Sequence, residues 1–169
     1  MAYDFETQEL RAFLSKLGAK TGAPGGGAAA ALTGATGAAL VEMVARFNDA
    51  KHKKSSGTAS RAQKLRQELQ RLMKKDAEAF HGIQALYKVR AQKKAAWKKA
   101  LEYGAKVPTE ICEKCREAAK LALREKKRTS SWLMSDLKES EILLDAAWRS
   151  ARLNVEINLK ELKKCQRAS

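Results

Sequence analysis

The sequence predicts an all-α fold, an antiparallel helical bundle of about six helices forming a single domain over residues 1–169. Three observations carry that expectation. Apolar residues recur at three- and four-residue steps along most of the chain, the period that gathers them on one face of a helix. Ala, Leu, Lys, Arg, Glu and Gln dominate, β-branched residues are sparse and there are two prolines, a composition of high summed helix propensity. The periodic stretches are separated by short polar or glycine-bearing breaks, which suit antiparallel neighbours in a bundle.

Phe5, Leu10, Phe13, Leu14 and Leu17 give the first helix, with Gly18 at the position of a C-terminal cap. Between Lys20 and Glu42 the chain then runs 21 residues without a charge. The run opens Thr21-Gly22-Ala23-Pro24-Gly25-Gly26-Gly27, and a proline followed by three glycines forces a turn. The glycine amides open a second helix, whose unpaired N–H groups and positive dipole end suit an anion. Along it Gly27, Ala31, Gly34 and Ala38 share a face that lets another backbone come close. The run is long enough to cross a bilayer. Its Ala, Gly and Thr content, its opening turn and its lack of large aliphatic residues nevertheless read as a core helix, ending near Phe47.

The basic stretch Lys51-His52-Lys53-Lys54 reads either as a solvated connection or as an anion-holding loop. A third helix follows, with Leu65, Leu69, Leu72, Asp76, Phe80, Ile83 and Tyr87 on one face. Asp76 interrupts that apolar stripe. Burying an unpaired carboxylate costs several kcal/mol, so Asp76 is either a buried structural partner or a site carboxylate with a tuned pKa. The helical pattern continues through Lys88 to Lys99 with Trp97, and Gly104 is expected to end it. Pro108 suits the first turn of the next helix, which runs to about Lys126. After a polar break at residues 126–131 the last helix starts near Ser135, with Leu137, Leu144, Trp148, Ala151, Val155, Leu159 and Leu162 as its apolar stripe. Asp136 falls in its first turn, where a carboxylate favours the helix dipole. Asn154 and Asn158 stand one turn apart on the flank of the stripe.

The net charge is +15, a surface that attracts anions: nucleic acid, an anionic membrane or a polycarboxylated small molecule. The three cysteines are an odd number and the first residues include Asp4, Glu6 and Glu9 rather than a basic leader. A reducing, cytoplasmic setting is therefore expected, with no secretory signal. Cys112 and Cys115 form a lone CxxC within a helical stretch, and His52 and His81 are the only histidines. A zinc site needs about four such ligands, so free thiols on a helix face are expected and metal binding is not.

Four segments in order resemble the formiminotetrahydrofolate cyclodeaminase / methenyltetrahydrofolate cyclohydrolase family. They are Thr21 to Gly27 leading into Gly34 to Val44, then Asp76-Ala77-Glu78-Ala79-Phe80, then Ala105-Lys106-Val107-Pro108, and finally Ser135-Asp136-Leu137 with Ala146-Ala147 and Asn154-Val155-Glu156-Ile157-Asn158-Leu159. The resemblance covers nearly the whole chain. It implies an all-helical homodimer acting on folate one-carbon units, with folate in a cleft near the dimer interface and neither a separate cofactor nor a membrane. The chain departs from the family pattern at Ala28, where Ser is usual, at Ser55-Ser56, where an aromatic is common, and at Ser130 to Met134, where a Gly-Asn element often stands.

The family reactions work on a carbon at the formate oxidation level between N5 and N10 of tetrahydrofolate. Water adds to a cationic methenyl carbon, or N10 attacks a formimino carbon and ammonia leaves. Either route needs proton transfer and a negative group near the cation, so Asp136 and Asp76 are the candidate catalytic residues. Asp136 is expected to matter for turnover and Asp76 for stability. The Gly25 to Gly27 turn would bind substrate, Lys51, Lys53 and Lys54 would hold its glutamate carboxylates, expected as a polyglutamate tail, and Asn154 and Asn158 would pair with the pterin edge. Hydrolysis of 5,10-methenyltetrahydrofolate is expected ahead of cyclodeamination, because a stand-alone domain needs no partner to deliver a formiminofolate. A third expectation, a non-catalytic binder of nucleic acid or another polyanion, is less favoured because aromatics are 6% of residues and most fall on apolar stripes. A continuous basic stripe far from the glycine turn would favour it.

Overall fold

In a computed structural model, residues 10–167 form five helices: α1 (Leu10–Leu17), α2 (Gly26–His52), α3 (Thr58–Tyr87), α4 (Lys94–Glu125) and α5 (Met134–Arg167), with a 3-10 turn at Ser131–Leu133. Phe5 lies outside the described residues. The four long helices make a ring in which α2 packs on α3 and α5, α4 packs on α3 and α5, and α2 touches α4 across the diagonal. Phe13 of α1 is buried in the shared core with Val41, Leu69, Ile111, Leu137 and Leu144.

The small residues of α2 let its neighbours approach. A Cβ at Gly34 would stand 2.7 Å from Cys115 Sγ of α4, and one at Gly37 would stand 2.8 Å from Leu144 Cγ of α5. By length and apolarity α2 alone qualifies as a membrane span among the described helices. Its position among α3, α4 and α5 is that of a core helix, as its composition indicates.

The expected break at Gly104 is absent, and the chain turns instead at residues 88–93, where helical continuity was expected. The break thus moves from Gly104 to residues 88–93 without changing the count, and the described residues hold five helices, close to the about six expected. Pro108 sits inside α4. An interior proline costs about 3 kcal/mol, because it lacks an N–H for the carbonyl four residues earlier and its ring crowds that carbonyl. Here that carbonyl belongs to Gly104, and Asn158 Nδ2 of α5 donates to it at 2.7 Å. The orphaned acceptor is thereby satisfied and α4 continues. At the real turn, Val89 N–H donates to Leu86 O and Lys93 N–H to Val89 O.

Candidate functional site

α2 starts without a cap of its own. Gly25 at the N-cap is extended (φ −126°, ψ −160°) and has no side chain to offer the first N–H groups. The missing acceptor comes from α3: Ala28 N–H donates to Asp76 Oδ2 at 2.9 Å. The fit is possible only because residue 27 is glycine, since a Cβ there would lie 2.0 Å from Asp76 Oδ1. The anion expected at the open helix end is thus the protein's own carboxylate. Above the turn Gly22 lies against the Phe80 ring, with room for no Cβ. The sequence places Phe80 on the apolar stripe and in the segment that begins at Asp76, but gives it no role at the turn.

Burial pushes Asp76 up to about 6, against the opposing pull of the Ala28 N–H. No cation is among its partners. The carboxylate is therefore mostly ionised at neutral pH but near enough to titration to exchange a proton. Oδ2 is occupied by Ala28, whereas no donor engages Oδ1 among the described residues.

Asn154 of α5 reaches the same turn: a Cβ on Gly26 would lie 3.8 Å from its Nδ2, which donates to Ser150 O at 3.2 Å. Asn158 lies one turn further along α5, and its Nδ2 is spent on Gly104 O. Of its amide the oxygen and the second N–H remain for a ligand. The structure thus brings together Gly25, Gly26, Gly27, Asp76 and Asn154, with Asn158 alongside.

It does not bring Asp136 or the lysines to them. α5 runs antiparallel to α2, with Asn154 beside Gly26 and Leu144 beside Gly37. In that register Asp136 falls near the other end of α2, roughly 25 Å from the glycine turn at 1.5 Å per residue. Lys51, Lys53 and Lys54 belong to that far end as well. Lys51 lies in the last turn of α2 and Lys53 and Lys54 in the loop that follows, all three exposed above a main chain fastened from beneath. Asp49 accepts from Ser56 N–H and from Arg128 Nη1, each at 2.9 Å, and Arg128 Nη2 donates to Lys54 O at 2.7 Å. Glu125, only 1% exposed, accepts from Ser56 Oγ at 2.7 Å and Asn48 Nδ2 at 2.8 Å. Burial raises the Glu125 pKa, but hydrogen bonds from Asn48, Thr58 and Ser56 and the charge of Arg128 outweigh it and hold the group ionised. The basic loop is therefore a fixed platform and not a loose connection.

The thiols behave as helix-face residues. Cys115 is buried against Gly34 and its pKa is pushed up to about 12 by burial, then by Cys112, whose Sγ approaches Trp148 O at 3.6 Å.

A helical bundle whose central helix opens at a glycine turn capped by a carboxylate from the next helix defines a class of protein with one anionic group fixed at a helix N-terminus. Within that class the assignment is specific. The sequence model described as formiminotransferase-cyclodeaminase matches residues 9–169, and the chain belongs to that family. It is 32% identical over 168 residues to a methenyltetrahydrofolate cyclohydrolase of Methylorubrum extorquens, covering 92% of this chain and 81% of that one. It also superimposes on the crystal structure of formiminotetrahydrofolate cyclodeaminase from Thermotoga maritima with a TM-score of 0.84 at 27% identity, over 96% of this chain and 85% of that one.

Proposed function

We propose that the chain is a folate one-carbon enzyme that hydrolyses 5,10-methenyltetrahydrofolate to 10-formyltetrahydrofolate. The observation that carries this reading is Asp76, an ionisable carboxylate with one free oxygen fixed over the glycine turn. The identity of the Methylorubrum extorquens relative supports it. In the reaction Asp76 Oδ1 takes a proton from water as its oxygen bonds to the cationic carbon between N5 and N10. The tetrahedral adduct then breaks its C–N5 bond: N5 leaves with the bonding pair and takes up a proton, while the adduct's hydroxyl gives up its proton to become the carbonyl of the formyl group that stays on N10. One proton is released overall. The negative carboxylate also stabilises the bound cation, and Asn154 holds the pterin amide edge.

Asp136 and Lys51, Lys53 and Lys54 enter this scheme from a second copy of the chain. A homodimer is supported by the outward side of α2, where Ala29, Leu32, Thr36, Leu40, Met43 and Phe47 are exposed or half-buried and none is charged. Two α2 helices crossing antiparallel on that face would set the glycine turn of one copy beside the basic platform of the other. Such an arrangement closes the gap of roughly 25 Å that separates the two halves within one chain.

The test is incubation with 5,10-methenyltetrahydrofolate, following loss of its near-ultraviolet absorbance against the spontaneous rate. Enzyme-dependent decay supports the cyclohydrolase. Decay at the spontaneous rate, with ammonia released from 5-formiminotetrahydrofolate, transfers the assignment to the cyclodeaminase reaction named for the Thermotoga maritima relative.

A further inference from the structure

Along the face of the bundle opposite the uncharged side of α2, helices α3 and α4 enclose a groove of about 340 Å³. Its floor is Leu65 and Leu121, and its walls carry five cations against two carboxylates, Glu68 and Glu117. Both carboxylates are already used: Lys114 lies 3.1 Å from Glu68 and 3.5 Å from Glu117, and Lys64 lies 4.0 Å from Glu68. Arg61, Lys120 and Arg124 are exposed and make no ion pair among the described residues. Three like charges around one groove repel each other. The positive surface then continues over the end of the bundle. Arg124 precedes Glu125, which holds Ser56 at 2.7 Å, and Lys126 and Lys127 follow it, exposed.

We infer that this groove binds the phosphate backbone of single-stranded nucleic acid, at a site separate from the folate reaction. Arg61 lies 15 residues from Asp76 on α3, roughly 20 Å along the helix, so occupation of the groove leaves the glycine turn open. The cations stand on both walls, Arg61 and Lys64 on α3 and Lys114, Lys120 and Arg124 on α4, on either side of the Leu65 and Leu121 floor, so an anionic chain lying between them meets positive charge from both helices. No aromatic side chain lines the groove. Recognition is therefore electrostatic and indifferent to base, with the salt dependence that counterion release imposes. A folate polyglutamate tail is the competing polyanion. The two are told apart by competition.

The test is fluorescence anisotropy with a labelled oligouridylate of about 20 nucleotides, between about 50 and 200 mM salt. The wild-type protein is expected to bind with a log–log salt slope of about −0.7 for each phosphate contacted. The variant Arg61→Gln/Lys120→Gln/Arg124→Gln should bind at least about tenfold more weakly, with the slope reduced by about 2. Its folate hydrolysis should be unchanged and its thermal melt equal to or above that of the wild type. A control with the same loss of charge, Lys88→Gln/Lys99→Gln/Lys163→Gln, should keep affinity within about twofold. Equal weakening by both variants would reduce the effect to net charge and overturn the site. So would absence of binding at the lowest salt, or displacement by poly-γ-glutamate as effective as that by unlabelled oligouridylate.

Discussion

At Asp76 one side chain serves both the fold and the proposed chemistry. Its Oδ2 completes the start of α2 through Ala28 N–H, and its burial makes it a weak acid of about 6. An unfolded aspartate titrates near 3.9. Between these values the folded protein holds a proton that the unfolded chain has released, so stability falls as pH rises from about 4 to about 6, by up to ~3 kcal/mol. Above that window the ionised carboxylate is a net burden on folding. Asp76→Asn keeps an acceptor for Ala28 N–H and removes the charge. At neutral pH it should therefore melt as high as the wild type or higher, while hydrolysis falls by about 10²-fold or more. Wild-type activity should rise with pH through about 6 as the base ionises. A variant that loses activity and melts well below the wild type would reduce Asp76 to a helix cap. The sequence suggested a stability loss here, because a carboxylate within an apolar stripe reads as a buried ion pair or a helix-to-helix hydrogen bond. The structure shows the hydrogen bond, to Ala28 N–H, and no cation facing the group among the described residues.

Among the elements, α2 was the most legible and α4 the least, for reasons of sequence distance. The faces of α2 are written in its own residues: Gly34 and Gly37 are small where Cys115 and Leu144 press in, and that pattern needs no knowledge of the partner. Gly104 and Pro108 look like a helix break by every local rule. What keeps α4 continuous is Asn158, which lies 54 residues away and donates to Gly104 O. Asn158→Ala should leave that carbonyl unpaired and cost about 1–3 kcal/mol. In the Pro108→Ala background, alanine restores the ordinary N–H donor to Gly104, and the same change at 158 should cost much less. Chemical denaturation of the four proteins of this double-mutant cycle measures the coupling. Equal costs in both backgrounds would mean that Asn158 does not support the proline turn, and would return its amide nitrogen to ligand binding.

At the scale of the whole molecule the proposed machinery is divided. The lysines of the platform and the proposed base lie at opposite ends of α2, which at 27 residues is roughly 40 Å long. Helical periodicity assigned each of these residues to a face but says nothing of axial position until the register between α2 and α5 is known. The candidate site was therefore legible as a set of residues and not as an arrangement. If the partner's platform holds the tail, polyglutamylated folate should bind more tightly than the monoglutamate. That preference should shrink as salt shortens the screening length from about 10 Å at 0.1 M. Replacing Lys51, Lys53 and Lys54 by Gln should abolish it, and persistence of the preference in that variant would remove the platform from substrate binding.

The two-copy arrangement makes a sharper demand on the carboxylates. Asp76→Asn and Asp136→Asn should each lose about 10²-fold in turnover as separate proteins. If each reaction centre takes Asp76 from one copy and Asp136 from the other, a heterodimer of the two variants rebuilds one intact centre and one doubly altered centre. Random reassortment of an equimolar mixture makes half of the dimers mixed, so activity should return to about a quarter of the wild-type value. Sedimentation must show that the copies exchange, and Leu40→Glu, which places a charge on the uncharged face of α2, should prevent both association and recovery. Reassorted dimers that stay as inactive as the separate variants would confine both carboxylates to one chain. Given the roughly 25 Å between them, Asp136 would then be left outside the chemistry, as a first-turn carboxylate serving the dipole of α5.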